Sequence, residues 1–384
     1  MILEQIRLYH FRCYDRVEIH PDPRFNVVTG LNGQGKTSLL EAIGLLAFLR
    51  SFRHAKNAEM LRVHETEGLV EGRIQTRGLD VKLAVKLWPH RKQATFNGKT
   101  CKYLSEYVGK VSAVSFSPSD LEIVRGSPEN RRIWIDKVAQ IFDPSHADAI
   151  LRYHKLLEHR NRQLRAVSEG RISTLSDDFE VWTEELVLWG SKVIHNRIHS
   201  VDKIVDKIRK YYDEIAHKNV DLNVRYLSEI FDEVHYGQAN LYSLELISRV
   251  LTESLKAALP KERIVGSTLV GPHRDDVELT MAGNPMRSFG SQGEVRSLVL
   301  AMRLTEVEAY KTEQGLSPIL LIDDFSSELD ARRREFLLQY LLSSDSQVFL
   351  STTEDLHLGK IFLVNEGRIG HDGDRHLTDG CQQL

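Results

Sequence analysis

The chain has little cysteine, no long apolar run and no excess of either charge. Three cysteines in 384 residues, Cys13, Cys101 and Cys381, are an odd number without Cys-x-x-Cys spacing. That suits reduced thiols in a cytosol better than disulfides or a thiolate zinc site. No apolar stretch approaches the roughly 20 residues needed to span a bilayer. The N-terminus "MILEQIRLYHFRCYDRVEIH" alternates apolar and charged residues where an export signal would carry an apolar core, so a soluble, cytoplasmic protein is expected. Lys+Arg number 51 against 54 Asp+Glu, a net charge of −3. Composition therefore gives no sign of nucleic-acid binding, and any such binding must come from local patches. Internal repeats and low-complexity segments are missing too. What is present is a 41% hydrophobic content, which at this length points to two lobes.

The first hundred residues read as mostly strand. "RFNVVTG" is a β-branched run ending in glycine, "DVKLAVKLW" alternates with period two, and Asn97-Gly98 fits a type I′ hairpin turn. From Ser127 the pattern changes. Ser at a cap, Pro128 at the first helical position and Glu129 in the first turn start a helix that stops near Asp143-Pro144. A second helix is expected from Ser145 to about Ala166 and a longer one from Phe179 to about Ala216. In the latter Trp182, Leu186, Trp189, Val193, Ile198, Val201, Val205, Ile208 and Tyr212 recur mostly at spacings of three and four, a packing seam. Residues 127–260 then form a helical arm. After Pro260 mixed α/β returns, with "SPILLIDDF" and "SQVFLSTTE" as buried strands and "FLVNEGRIG" as a closing hairpin.

"GLNGQGKT", Gly30 to Thr37, fits G-x-x-x-x-G-K-[ST] between a strand and the apolar helix "SLLEAIGLLAFL". Such a loop wraps phosphates with backbone N–H groups, so Gly30, Leu31, Asn32, Gly33, Gln34, Gly35, Lys36, Thr37 and Ser38 are candidate ATP contacts. Lys36 would reach the β- and γ-phosphates and Thr37 would offer its hydroxyl to Mg²⁺. "ILLIDDF" supplies the matching acidic strand end: Asp323 for the Mg²⁺ shell and Asp324 to orient or activate the attacking water. Asp at the second place is one methylene shorter than Glu, and small misplacements cost on the order of 10²-fold, so hydrolysis should be slow. A second phosphate-seeking helix end opens in "SFGSQGEVRSLVLAM", Ser288 to Met302.

These segments, with "HFRCYDRVEI" and "LLIDDFSSELD", resemble the ABC-type ATPase heads of the SMC and Rad50 class. Within it, "VSFSPSDLEIVRGSPENRR", "YHKLLEHRNRQL" and "LVGPHRDD" resemble the RecF family over nearly the whole chain. The resemblance implies an α/β P-loop NTPase fold. Lobe I, about 1–120 and 301–384, would be the mixed α/β ATPase core; lobe II, about 121–300, would be mainly the helical arm plus the signature turn. It also implies that one subunit presents Ser291, Gly293 and Glu294 to the ATP of the other, that Ser327–Asp330 crosses the dimer seam, and that Arg12 reaches the nucleotide. The implied task is a slow, DNA-stimulated ATPase switch in recombinational repair and replication restart. ATP would hold a homodimer on duplex DNA or a single-/double-strand junction without sequence preference, hydrolysis would release it, RecR and RecO would be partners, and RecA loading the outcome.

Rival readings fare worse. A transporter ATPase would carry a switch histidine where "FLSTTE" stands, leaving Thr352 or Thr353 to meet the γ-phosphate. A Rad50-like tether needs a longer coiled coil and a Cys-x-x-Cys hook, and a nuclease-fused relative needs a second acidic domain. A structural DNA-binding protein is the non-enzyme alternative. "GPHRDD" carries the letters of a kinase catalytic loop but lacks the asparagine that should follow, and reads as a salt-bridged structural turn. For DNA, two basic stretches on the arm stand out, "LRYHKLLEHRNRQLR" with Arg152, Lys155, Arg160 and Arg162, and "SKVIHNRIHSVDKIVDKIRKY"; Arg50, Arg53 and Lys56 add charge beside the nucleotide lobe.

Overall fold

The computed structural model describes residues 1–371 apart from 104, 105, 108, 219, 326–329 and 355. Cys381 and positions 327–329 of the expected seam loop lie outside the described residues. Two compact units emerge, Met1–Asp120 with Glu306–Leu384, and Leu121–Thr305. The second join falls inside a continuous helix, Gln292–Gln314, where no change of composition marks it.

In the first unit, β1 (Ile2–Phe11), β2 (Tyr14–Ile19), β4 (Gly68–Thr76), β5 (Leu79–Trp88), β6 (Arg91–Phe96) and β7 (Lys99–Thr100) form an antiparallel sheet ordered β2-β1-β4-β5-β6-β7. The period-two run in β5 buries Val81, Leu83, Val85 and Leu87 on one face and sends Lys82 to the other. Asn97 and Gly98 both take positive φ, 48° and 77°, as a type I′ turn requires. A second sheet is ordered β15-β14-β3-β13-β12-β8, from β3 (Phe25–Thr29), β8 (Ala113–Phe116), β12 (Ile319–Ile322), β13 (Val348–Thr352), β14 (Lys360–Asn365) and β15 (Arg368–His371). All pairings are parallel except that of the closing hairpin β14–β15. Helix α1 (Lys36–Phe48) is apolar almost all round, which demands burial on every side. It obtains that by packing against strands of both sheets, its Leu39, Leu40, Ile43 and Leu46 fully covered. Each such side chain contributes about 1.5–3 kcal/mol by leaving water, and α1 thereby holds the loop that precedes it. The short α2 (Asn57–Met60) follows it, and α10 (Ala331–Ser343) lies between β12 and β13 in the chain.

The second unit carries α3 (Glu122–Arg125), α4 (Pro128–Phe142), α5 (His146–Ser168), α6 (Asp178–Ala216), α7 (Leu244–Val265), α8 (Met286–Phe289) and the start of α9 (Gln292–Gln314). The expected seam of α6 is buried at Leu186, Val193, Ile198, Val201, Val205, Ile208 and Tyr212. Trp182 and Trp189 depart from it: they are half-buried, Trp182 against the His159 ring and Trp189 under Arg152 and Lys192. Two further features differ from the sequence reading. A three-stranded sheet, β11-β10-β9, with β9 (Leu222–Leu227), β10 (Asp276–Met281) and β11 (Asn284–Pro285), sits within the helical unit. And α7 runs through Pro260 to end at Gly266, φ 78°. A proline inside a helix leaves one carbonyl unpaired; here the helix is exposed around Lys256, Ala257 and Pro260, so water can serve it.

The "GPHRDD" segment is fastened by a buried polar network. Asp136 takes two hydrogen bonds from Arg197, 2.7 and 2.9 Å, and Arg197 also donates to the Pro272 carbonyl at 2.6 Å. Burial alone would raise the Asp136 carboxyl, but Arg197 and His146 outweigh it and hold the carboxyl low. Asp276 pairs with Arg131 at 2.7 Å and His273 with the Tyr153 hydroxyl at 2.6 Å. Asp275, buried beside Tyr226, is raised to about 6 by desolvation. No helix among the described residues is long and apolar enough to cross a membrane.

Candidate nucleotide site

Gly30, Gly33 and Gly35 carry φ of 144°, 81° and 121°, a region that only glycine enters at little cost. At Gly30 a Cβ would also stand 2.3 Å from the Val364 carbonyl oxygen of β14. The loop is braced from two hairpins: Tyr14 donates to the Gly35 carbonyl at 2.9 Å, and the Gly367 N–H donates to the Gln34 carbonyl at 3.2 Å. The Gln34 side chain accepts from the Glu366 N–H at 2.6 Å, so it holds the closing hairpin and leaves only its backbone to the loop. Among the described residues no side chain caps α1. Its first N–H groups and the positive end of its dipole face the loop, the setting that favours an anion.

Lys36 donates to the Gly30 and Leu31 carbonyls, at 2.6 and 3.0 Å, and lies 3.4 Å from Asn32 Oδ1. Burial lowers its pKa, while Asp324 and Asp323 act to raise it. The sequence-expected partners meet: Thr37 Oγ1 donates to Asp323 Oδ1 at 2.8 Å, from positions 286 residues apart. Ser351, which the sequence reading passed over, donates to the same Asp323 oxygen at 2.8 Å and accepts the Asp324 N–H at 2.9 Å. The only signal for it was its place at the end of "VFLST". Thr352 is fully buried, its hydroxyl accepting from the Glu354 N–H at 3.0 Å. Asp323 is raised by desolvation, opposed by Ser351, Thr37 and the charge of Arg53. Asp324 holds φ 54°, a strained conformation of the kind that clusters at functional positions and that Asp tolerates better than most residues. Among the described residues no cluster of three or more His, Cys, Asp or Glu could hold a metal on its own. One hydroxyl and one carboxylate at bonding distance suit Mg²⁺, which completes its shell with water and phosphate oxygens.

The second helix end is built differently. Ser291 N and Oγ both donate to Glu294 Oε2 at 2.9 Å, and the Glu294 N–H points back at Ser291 Oγ, 3.3 Å. "SQGE" is thus a capping box that satisfies the start of α9 from within. The two hydrogen bonds from Ser291 hold the Glu294 carboxyl below its usual range.

A family model described as the RecF/RecN/SMC N terminal domain matches residues 2–362. The DNA replication and repair protein RecF of Geotalea uraniireducens is 34% identical over 378 residues, 97% of this chain and 100% of that protein. The chain belongs to the RecF family. A solved structure of the recombination mediator protein RecF-ATP in the RecFOR pathway superposes with a TM-score of 0.87 at 31% identity, covering 96% of this chain and 97% of that one. The Smc head domain of Pyrococcus yayanosii reaches 0.52 at 13% identity, covering 96% and 97%, a likeness of fold alone.

Against the RecF-family expectations, Arg12 is tied down. Its guanidinium forms two 2.7 Å hydrogen bonds with Glu41, a fully buried carboxylate, and a third to the Glu59 carbonyl at 2.5 Å. Glu41 neutralises it, so any contact Arg12 makes to a nucleotide is that of a hydrogen-bond donor within an ion pair. Arg160 is a correction. It is 1% exposed and paired with buried Glu262 at 2.7 Å, so it holds α5 to α7 and does not face DNA. Arg197, counted in the second basic stretch, is likewise consumed by Asp136. Arg152, Lys155 and Arg162 are exposed on α5, though Arg162 pairs with Glu158 at 3.2 Å; Arg53 and Lys56 are exposed and Arg50 half-buried.

Proposed function

We propose that the chain is an ATP-controlled DNA clamp of recombinational repair, acting in the cytoplasm at the nucleoid. The observation that carries the nucleotide half is the 2.8 Å contact between Thr37 and Asp323 at the foot of an uncapped, glycine-walled helix end. ATP phosphates occupy the loop formed by residues 30–38, and Lys36 turns from the loop carbonyls to the β- and γ-phosphates. Thr37 and Asp323 hold Mg²⁺, which neutralises phosphate charge when bound. Asp324, anchored through Ser351, orients the attacking water, and its short side chain makes turnover slow.

The start of α9 of a second copy, with Ser291 and Gly293, closes on the γ-phosphate, so ATP assembles a homodimer and hydrolysis releases it. DNA is held through phosphates by Arg53, Lys56, Arg152 and Lys155. Similarity to RecF proteins supports RecR and RecO as partners and recombinase loading at gaps as the outcome. The test is sizing of the protein with ATP, with ADP, and with ATP plus duplex DNA. Dimers are expected with ATP alone, stabilised by DNA; a monomer in all three conditions overturns the clamp.

A further inference from the structure

The outward face of the antiparallel sheet holds an arrangement that folding does not explain. Arg73 of β4 and Lys82 of β5 are directly opposite in the ladder, and both are exposed. Like charges directly opposite across a strand pair destabilise a sheet. Among the described residues neither side chain has a hydrogen bond or ion pair, whereas nearby Arg7 is matched to Glu18 at 2.9 Å. The two cations line a concavity of about 250 Å³ with Gln5, Arg7, Glu71, Thr95 and Gly98. The Asn97 side chain accepts the Lys82 N–H at 2.8 Å, which brings the β6–β7 turn alongside as a wall, and Gly98 leaves that wall open with no atom within 4 Å of a would-be Cβ. Among the described residues Glu71 is the one carboxylate in the lining, and with Arg7 already matched to Glu18 it faces two cations, Arg73 and Lys82.

We propose that this concavity is a binding site for phosphate oxyanions, with Arg73 and Lys82 as its paired cations and Thr95 as a neutral hydroxyl donor. The occupant is a nucleic-acid backbone, an assignment that rests on the DNA-binding reading above. It moves part of the DNA contact from the helical arm, where Arg160 and Arg197 are consumed internally, onto the ATPase unit itself. A phosphate placed between the two cations removes the repulsion that the folded sheet otherwise carries, so the bare pair is a cost to the sheet and a gain to the complex.

The site is tested with full-length Arg73→Gln/Lys82→Gln, beside Lys256→Gln/Lys261→Gln as a control that removes the same charge from exposed positions of α7. Duplex affinity is measured over a salt series with both. In the sheet variant affinity is expected to fall about tenfold, and the slope of log affinity against log salt to shrink by roughly two contacts, about 0.9 each. Its melting temperature should equal or exceed that of wild type, which a merely structural pair would not give. ATP binding should be unchanged. Equal affinity and slope in wild type and the sheet variant, with wild type binding DNA, overturns the site and leaves the DNA reading standing. Acetylation of Lys82 separates the sources: protection by duplex supports the assignment, while protection by inorganic pyrophosphate and not by duplex overturns the backbone as occupant. A wild type without salt-dependent duplex binding overturns the DNA reading and this assignment with it.

Discussion

The chain has two helix starts that read alike in sequence, Gly35-Lys36 and Ser291–Glu294, and they are built in opposite ways. At α1 no side chain caps the N-terminus and a lysine lies among the loop carbonyls. At α9 a serine and a glutamate close on each other and place a carboxylate over the helix start. The first is suited to hold an anion by itself, with backbone donors, dipole and ammonium all of one sign. The second carries its own negative charge and is poorly suited to bind phosphate alone. In the proposed composite site that asymmetry would be an advantage: the uncapped end would bind ATP in a monomer, and the capped end would add to a phosphate already bound elsewhere.

The largest effects fall on the first end. Lys36→Ala removes about two charge-assisted hydrogen bonds of roughly 1.5–3 kcal/mol each, so ATP affinity, read by calorimetry, should drop by about 10²–10⁴-fold. Retained affinity would mean that α1 is not the phosphate site. Asp324→Asn should lower single-turnover hydrolysis by about 10²–10⁴-fold with ATP-held dimers intact. Asn also tolerates the positive φ at this position, so unchanged turnover removes Asp324 from the chemistry. Ser291→Arg should leave monomer affinity for ATP unaltered and block ATP-induced dimers. Sedimentation showing dimers of that variant would erase the distinction between the two ends.

The sequence made legible whatever depends on local pattern. Pro128 at a helix start, the period of α6, the Asn97-Gly98 turn and the pairing of "GLNGQGKT" with "ILLIDDF" are all recovered, because capping, periodicity and glycine backbone freedom act within a few residues. What escaped depends on which side of a helix meets which neighbour. Arg160 and Arg197 counted as DNA-facing cations because charge counts carry no direction, and only packing against Glu262 and Asp136 turns them inward. Ser351 escaped because its partners lie 27 and 28 residues away, just past the end of another strand. The small sheet inside the helical unit escaped because β9 pairs with a strand some fifty residues on. The capping box was readable, S-x-x-E being a local signature, but the phosphate reading of the same four residues hid it.

The smallest predicted effect is the sharpest test of the contrast. Glu294→Gln keeps the cap, since a glutamine at this position still accepts from Ser291, and removes only the charge. A carboxylate about 4 Å from a phosphate oxygen costs roughly 1 kcal/mol in water. Dimer affinity with ATP should therefore rise about fivefold in this variant, while monomer affinity for ATP stays put. Hydrogen bonds from Ser291 depress the Glu294 pKa. The carboxylate is thus charged at every pH above its lowered value, and the cap's contribution is lost only as pH falls through that value. The advantage of Glu294→Gln should accordingly persist through the neutral range and vanish only in acid. Glu294→Ala, which loses cap and charge together, should not reproduce the gain. If Glu294→Gln instead weakens the dimer, the carboxylate is a contact to the second copy and not a brake, and the two helix starts are alike in function after all.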